Sequence, residues 1–466
     1  MNKILNLSIE KIFVILAIFF GFLYVLILPP FQSVDEGNHF FRTYQISEGR
    51  FVSVNIAPDK KNDSFDVGDY IPSALQKYYS NYIPLIKNID MKQNISNIKR
   101  DFSIKIDKND RVFTPFANSS LYSPTCYIGS LIGVISAKIF TNNLALIYYF
   151  GRISDLLFYC LLVFWAIRTI PFYKLPLMLL AICPMSLSLA SSYTSDVSVL
   201  GFNFLWVAYI LKFITQDEKD ITKTIILTLL AILITFSKSY IFILPLCFLI
   251  SPKRYKNIKN YVLSMSCIAF FIILSGIIWC IISKGLTLNM NDMIADPERQ
   301  IAFIISHPIK YIWIMIKTFF VKSPRILITM IGVLGWQDTK LDWSTYILYP
   351  ILMYFAIFSD NYKFILNKWQ KTLILTTFIL GSILTYTSLY VMWTPVENNL
   401  ILGLNGKYFI PMMLPFLLLF KKEHSKYDNE KITIFVLIAV LLILFTSELS
   451  LLHRFYNITP QLYYKI

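Results

Sequence analysis

The chain has 466 residues, 56% of them hydrophobic, and a formal charge of +15. Apolar runs recur along it and mean hydropathy is +0.57, which excludes an ordinary soluble domain and marks an all-α polytopic membrane protein. The Lys and Arg excess falls in short loops between those runs, which fits positive-inside topology and excludes nucleic acid as a partner.

In lipid the backbone must satisfy its own hydrogen bonds, so each long apolar run is expected to be a helix. About eleven spans are expected: 12–28, 146–167, 175–191, 197–214, 221–236, 240–250, 261–282, 344–358, 372–392, 408–420 and 432–452. Residues 1–28 read as a retained signal anchor, because Pro29-Pro30 follows where a cleavage site would need small residues. Residues 29–145 form a first outer segment that is polar, rich in Asn, Lys, Asp and Ser, and long enough to require a subdomain of its own. Within it, 124–139 is apolar, yet a crossing there would place every basic loop outside, so it reads as a helix on the outer membrane surface. Residues 146–282 and 344–466 read as two transmembrane bundles. Between them, 283–343 is a second outer segment with an amphipathic stretch at 301–320 bearing Lys310 and Lys317, followed by 326–334, too short to cross. The loops with most Lys and Arg, 251–260, 361–371 and 421–431, all fall on the side of the N-terminus, which places that end in the cytoplasm, and the skew toward Ile, Lys and Asn points to an AT-rich bacterial genome and so to a bacterial inner membrane.

The most telling residues follow the first span. Asp35 and Glu36 sit a few residues past Pro29-Pro30, with His39 and Arg42 close behind. Carboxylates within reach of hydrocarbon are costly and usually functional. Asp35 reads as a general base with Glu36 and His39 orienting it, or as the N-cap of a short helix. Arg42 either binds a phosphate or pairs with these carboxylates. Arg152 and Asp155 are spaced to pair on one helix face. Asp196, in the polar knot Ser191 to Asp196, is a second cavity carboxylate, or either Ser195 or Asp196 caps the following helix. Lys238 and Lys407-Tyr408 stand at outer helix ends, where a cation meets a lipid-linked phosphate or snorkels to the interface. Trp336 and Asp338 complete a Gly-Trp-Gln-Asp tetrad in the second outer segment.

Six Cys form no CxxC pair and four His are far apart, so neither a disulfide framework nor metal-ligand spacing is present. Walker A, GxGxxG, HExxH and GxSxG patterns are absent. No cofactor is expected, although a divalent cation beside Asp35 stays open.

A first span, Pro-Pro, and then Asp-Glu-x-x-His-Phe resembles the GT-C superfamily of integral-membrane glycosyltransferases. More closely, the chain resembles the bacterial domain of unknown function 2142 family, on four elements. These are Pro30 to Arg42, Pro184 to Asp196, Gly335-Trp336-Gln337-Asp338, and Gly403-Leu404-Asn405-Gly406-Lys407-Tyr408-Phe409-Ile410-Pro411. The last departs from the family's Gln and Arg at Asn405 and Lys407, and Lys lacks the bidentate fork of Arg. The wider superfamily implies a GT-C-like bundle with outer surface helices. It also implies a polyprenyl-phosphate sugar as donor, a glycan or lipid acceptor, an extracytoplasmic reaction and an aspartate base in the first outer loop. A lipid-linked glycan flippase, or a polysaccharide polymerase or ligase, is the alternative.

Overall fold

The computed structural model describes residues 7–57, 65–216, 222–238, 241–286, 295–422 and 429–456. Helix α1, Ile9–Ile27, buries Phe13, Ala17, Phe20, Gly21 and Tyr24, a stripe at three- and four-residue spacing. Its other side, with Ile15, Phe19, Phe22 and Leu26, is exposed as a lipid-facing surface would be. The stripe faces the long helix that follows the first outer segment. A Cβ on Gly21 would lie 2.4 Å from the Leu156 side chain, so glycine sets that close approach.

The segment between the first helix and residue 145 contains a small sheet as well as short helices. After the short helix α2 (Glu36–Ile46), strands β1 (Val54–Asn55), β2 (Val67–Pro72) and β3 (Arg111–Pro115) form an antiparallel sheet in the order β1-β2-β3. Gly68 pairs with Pro115 and Pro72 with Arg111. Glu48, just past α2, takes Arg50 and Arg111, while Arg50 also reaches Asp69 on β2, so one charge cluster ties helix to sheet.

The stretch expected to lie on the membrane surface contains the helix α3 (Ile128–Phe140), with Ile132, Ile135, Ile139 and Phe140 exposed. Its other side is locked antiparallel to α4 (Leu144–Thr169). Gly129 meets Asp155 and Phe158, and Gly133 meets Phe150 and Ser154. The expected span 175–191 is broken into α5 (Lys174–Ile182) and α6 (Pro184–Ala190), because Pro184 cannot donate to the preceding turn. Helix α7 (Asp196–Thr215) is the inner member of the bundle, 89% buried over its apolar window; α9 (Ile258–Ile282), at 17%, is peripheral. Between them lies α8 (Thr222–Lys238). The run expected to span at 240–250 is a nine-residue 3-10 helix, Ile241–Leu249, containing Pro245. At about 2 Å rise per residue it is well short of a bilayer core of about 30 Å.

The described part of the segment expected as a second outer one, 295–343, is more helical than its sequence suggested. Helix α10 (Pro297–Ser306) turns at His307-Pro308 into α11 (Pro308–Gly332). The stretch read as too short to cross is therefore mostly the end of one continuous helix. It leads into the hairpin β4 (Val333–Leu334) and β5 (Thr339–Lys340). Helices α12 (Trp343–Phe358), α13 (Lys368–Trp393), α14 (Ile410–Leu417) and α15 (Asn429–Phe455) complete the bundle.

Six helices among the described residues are long and apolar enough to cross a membrane. Four more apolar helices are shorter, 124–140, 222–237, 343–358 and 406–420. The chain is thus a predominantly helical multi-pass membrane protein. Its polar contacts gather at two ends. One holds Glu10 with Lys174 and Asp360 with Lys421. The other holds Asp35, Asp196, Asp338 and the sheet.

Burial pushes the Glu48 carboxyl up, but hydrogen bonds from Arg111 and Arg50 outweigh it and hold it below the usual carboxylate value of 4.5. A depressed folded value contributes stability that is complete above 4.5 and is lost as pH falls through the lowered value. Amides of β2 and β3 in the detergent-solubilised protein are expected to lose exchange protection over that acid range. Glu48→Gln removes about 1–2 kcal/mol of local stability at neutral pH and flattens the acid response.

Candidate functional site

Pro29-Pro30 ends the first helix, and Phe31 follows in the left-handed region at φ 63°, a costly conformation for a bulky residue. The surroundings hold it there. Its ring lies within 5.2 Å of Tyr78 and Tyr79 and 4.8 Å of Tyr148 (centroid distances), and its N–H donates to the Tyr148 hydroxyl at 2.9 Å. Its carbonyl accepts from Trp336 Nε1 at 2.9 Å, so the segment after α1 and the hairpin after α11 meet at this residue.

Asp35 is the N-cap residue of α2, but it also has left-handed backbone (φ 59°) and its side chain makes no capping hydrogen bond. The carboxylate is half-buried. His39, one turn on, is held by the Tyr127 hydroxyl at 2.8 Å from Nδ1 and by stacking on Tyr122.

Glu36 has a different place from the one expected. It is fully buried, and its Oε1 and Oε2 accept from Arg152 Nε at 2.8 Å and Nη2 at 2.7 Å. The Tyr193 and Ser33 backbone N–H groups donate to it at 3.1 and 3.3 Å. With both oxygens engaged, Glu36 locks the loop and is not poised to orient a base. Arg152 also donates to the Leu28 carbonyl at 2.7 Å and the Pro29 carbonyl at 3.1 Å, capping the end of α1. Arg152 therefore does not pair with Asp155, which is buried beside Gly129 on α3.

Arg42 is likewise removed from the phosphate role. It is fully buried and donates to Gln45, to Ser53 at 3.3 Å, and to the Phe51 and Tyr122 carbonyls at 2.8 and 3.1 Å. Ser195, one of the two residues expected to cap this helix, is the N-cap residue of α7, without a side-chain capping hydrogen bond, and Asp196 is the helix's first residue. Lys407 Nζ lies 2.9 Å from Asp196 Oδ2 and 5.7 Å above the Tyr408 ring, so its charge is already matched. Tyr408 is half-buried beside it. Lys238 closes α8, and its side chain lies outside the described residues.

The Gly403 to Pro411 element docks on α11 through Gly406. Its N–H donates to Thr329 at 2.8 Å, and a Cβ there would sit 2.1 Å from the Ile326 carbonyl oxygen and 2.2 Å from Met330 N. Gly403 holds φ +74°. In the Gly-Trp-Gln-Asp hairpin, Asp338 accepts from Arg454 at 2.7 Å, and Arg454 also holds the Leu85 carbonyl at 3.0 Å. The four sequence elements thus converge on one end of the bundle.

Two of them, the Gly-Trp-Gln-Asp hairpin and the start of the Gly403 element, line an open cavity of about 350 Å³ together with Lys87, Lys322, Arg325 and residues 401 and 402. A second of about 510 Å³ shares Asp338 and adds Lys92, Lys340, Trp343 and His453 among others. Asp35 lines neither; it is joined to the first through Phe31 and Trp336. Lys87 (φ 56°) and Gln337 (φ 62°) are also left-handed, so strained backbone is concentrated at this end. Sequence reasoning missed Lys87, Lys322, Arg325 and Arg454. The one available signal was the spacing of Lys322 and Arg325, one helical turn apart. Among the described residues no group of three His, Cys, Asp or Glu lies close enough to hold a metal ion.

Fold and composition define a polytopic α-helical membrane protein. Residues 18–416 match the family described as predicted membrane protein (DUF2142), which covers most of the chain, and the protein belongs to that family. No curated protein and no solved structure matches the chain significantly.

Arg152→Ala would leave the Glu36 carboxylate buried without its partner, at a cost of about 3–5 kcal/mol. The melting temperature in detergent should fall sharply, while Asp35→Asn should leave it unchanged. Gly406→Ala forces a methyl group against backbone that cannot move aside, and limited proteolysis should cut the 394–405 connection faster than in the wild type.

Proposed function

We propose that this chain is a GT-C-type glycosyltransferase that moves a sugar from a phosphorylated polyprenol to a cell-envelope glycan or lipid acceptor. The observation that carries the reading is the cation-lined cavity tied to the acidic loop by the Trp336–Phe31 hydrogen bond. The proposed topology has about eleven crossings, some built from broken helices such as α5–α6. The N-terminus lies in the cytoplasm of a bacterial cell membrane, and the Asp35 end faces outward.

In this reading Asp35 takes the proton from an acceptor hydroxyl. The acceptor oxygen bonds to the anomeric carbon, and the carbon–oxygen bond to the carrier phosphate breaks. The phosphate leaves with the electron pair, and cations placed where that charge grows lower the barrier. Lys87, Lys322 and Arg325 take the role first expected of Arg42, Lys238 and Lys407. His39 positions the acceptor beside Asp35, and Glu36 holds the loop that carries it. The donor arrives activated, so no nucleotide is needed. The contrasting reading, a carrier for a lipid-linked glycan, draws on Asp155 and Glu448, two carboxylates buried within helices.

Loss of a positioned general base lowers turnover by about 100-fold or more. Asp35→Asn, expressed in the native host at wild-type level, should abolish attachment of the sugar to the envelope glycan while the lipid-linked sugar accumulates. Unchanged envelope glycan from a correctly inserted Asp35→Asn protein would remove Asp35 as the base.

A further inference from the structure

We infer that the cation-lined cavity is built for a diphosphate, so that the sugar is joined to its prenyl carrier through two phosphates rather than one. The inference rests on the transferase reading and narrows its donor.

Charge matching supports it. Lys87, Lys322 and Arg325 line the cavity, and no carboxylate among the described residues forms an ion pair with any of them. The one carboxylate in the wall, Asp338, is already neutralised by Arg454. Among the described residues, three positive charges are therefore without a carboxylate partner. A sugar monophosphate diester carries one negative charge and leaves as a group with two. A sugar diphosphate carries two and leaves with three, which matches the cavity as the bond breaks.

The arrangement of the cations agrees. Lys322 and Arg325 are one turn apart on α11, while Lys87 comes from the first outer segment and lies 5.8 Å over the Trp336 ring. Cations on separate elements suit an extended group bridging them better than a single phosphate held at one point. Arg325 offers a planar fork, and the two lysines offer point charges.

The test uses the full chain in phosphatidylcholine nanodiscs, with farnesyl diphosphate and farnesyl monophosphate as probes in calorimetric titration. The diphosphate should bind about tenfold tighter or more, as expected where extra charge-assisted contacts form. The double variant Lys322→Ala, Arg325→Ala should bring the diphosphate down to the monophosphate level, and Lys322→Arg should keep the preference. Equal affinity for the two probes, or a preference that survives the double variant, overturns the inference. If that happens while Asp35→Asn still abolishes sugar attachment, the transferase reading stands without it. A cation-dependent diphosphate preference with no effect of Asp35→Asn on envelope glycan upholds the diphosphate site and overturns the transferase reading.

Discussion

A glutamate and an arginine with no solvent contact face each other between the first outer loop and a membrane helix. Taking both charges out of water is costly, and only a close, fully hydrogen-bonded geometry offsets it. Glu36 and Arg152 have that geometry, and they also hold backbone from the end of α1 and the Tyr193 turn. The pair therefore fixes where the chain leaves the membrane, and with it the direction of α2 and the position of Asp35. Every later contact at this end, from Trp336 on Phe31 to Lys407 on Asp196, is made against a loop already held in place.

That loop is held under strain. Phe31 and Asp35 occupy backbone conformations that non-glycine residues rarely adopt, and the ring cage around Phe31 is what makes the first tolerable. Strain of this kind persists where the surroundings over-determine it, which is common at functional sites. The same end carries Lys87 and Gln337 in left-handed backbone. Opposite charges meet there in matched pairs, Asp196 with Lys407 and Asp338 with Arg454, except at the cavity wall. Among the described residues, the site is thus distinguished by cations without carboxylate partners.

Much of this was legible in the residues themselves. Pro29-Pro30 marked the end of the first helix. The Gly403 to Pro411 element stood out by its glycines, and Gly406 does lie against backbone. Charge roles were less legible. Arg42 has the same chemistry whether it binds a ligand or staples a loop, and only its burial against Phe51 and Tyr122 decides. Arg152 was three residues from one carboxylate and 116 from another, and it took the distant one.

The sequence by itself determined the class of the protein, the hydrophobic runs that become helices, and the cluster of polar residues at the exit of the first. These depend on local properties, apolar length and proline, which act within a few residues. Only the tertiary structure decided which charges are spent and which stay available. It broke the 175–191 run at Pro184, replaced the 240–250 span with a 3-10 turn, and extended 308–332 into one helix. It also brought Lys87, Lys322 and Arg325 around one cavity. Pairing between charges is set by distance in space, and residues 87 and 322 become neighbours only when the outer subdomain docks on the bundle.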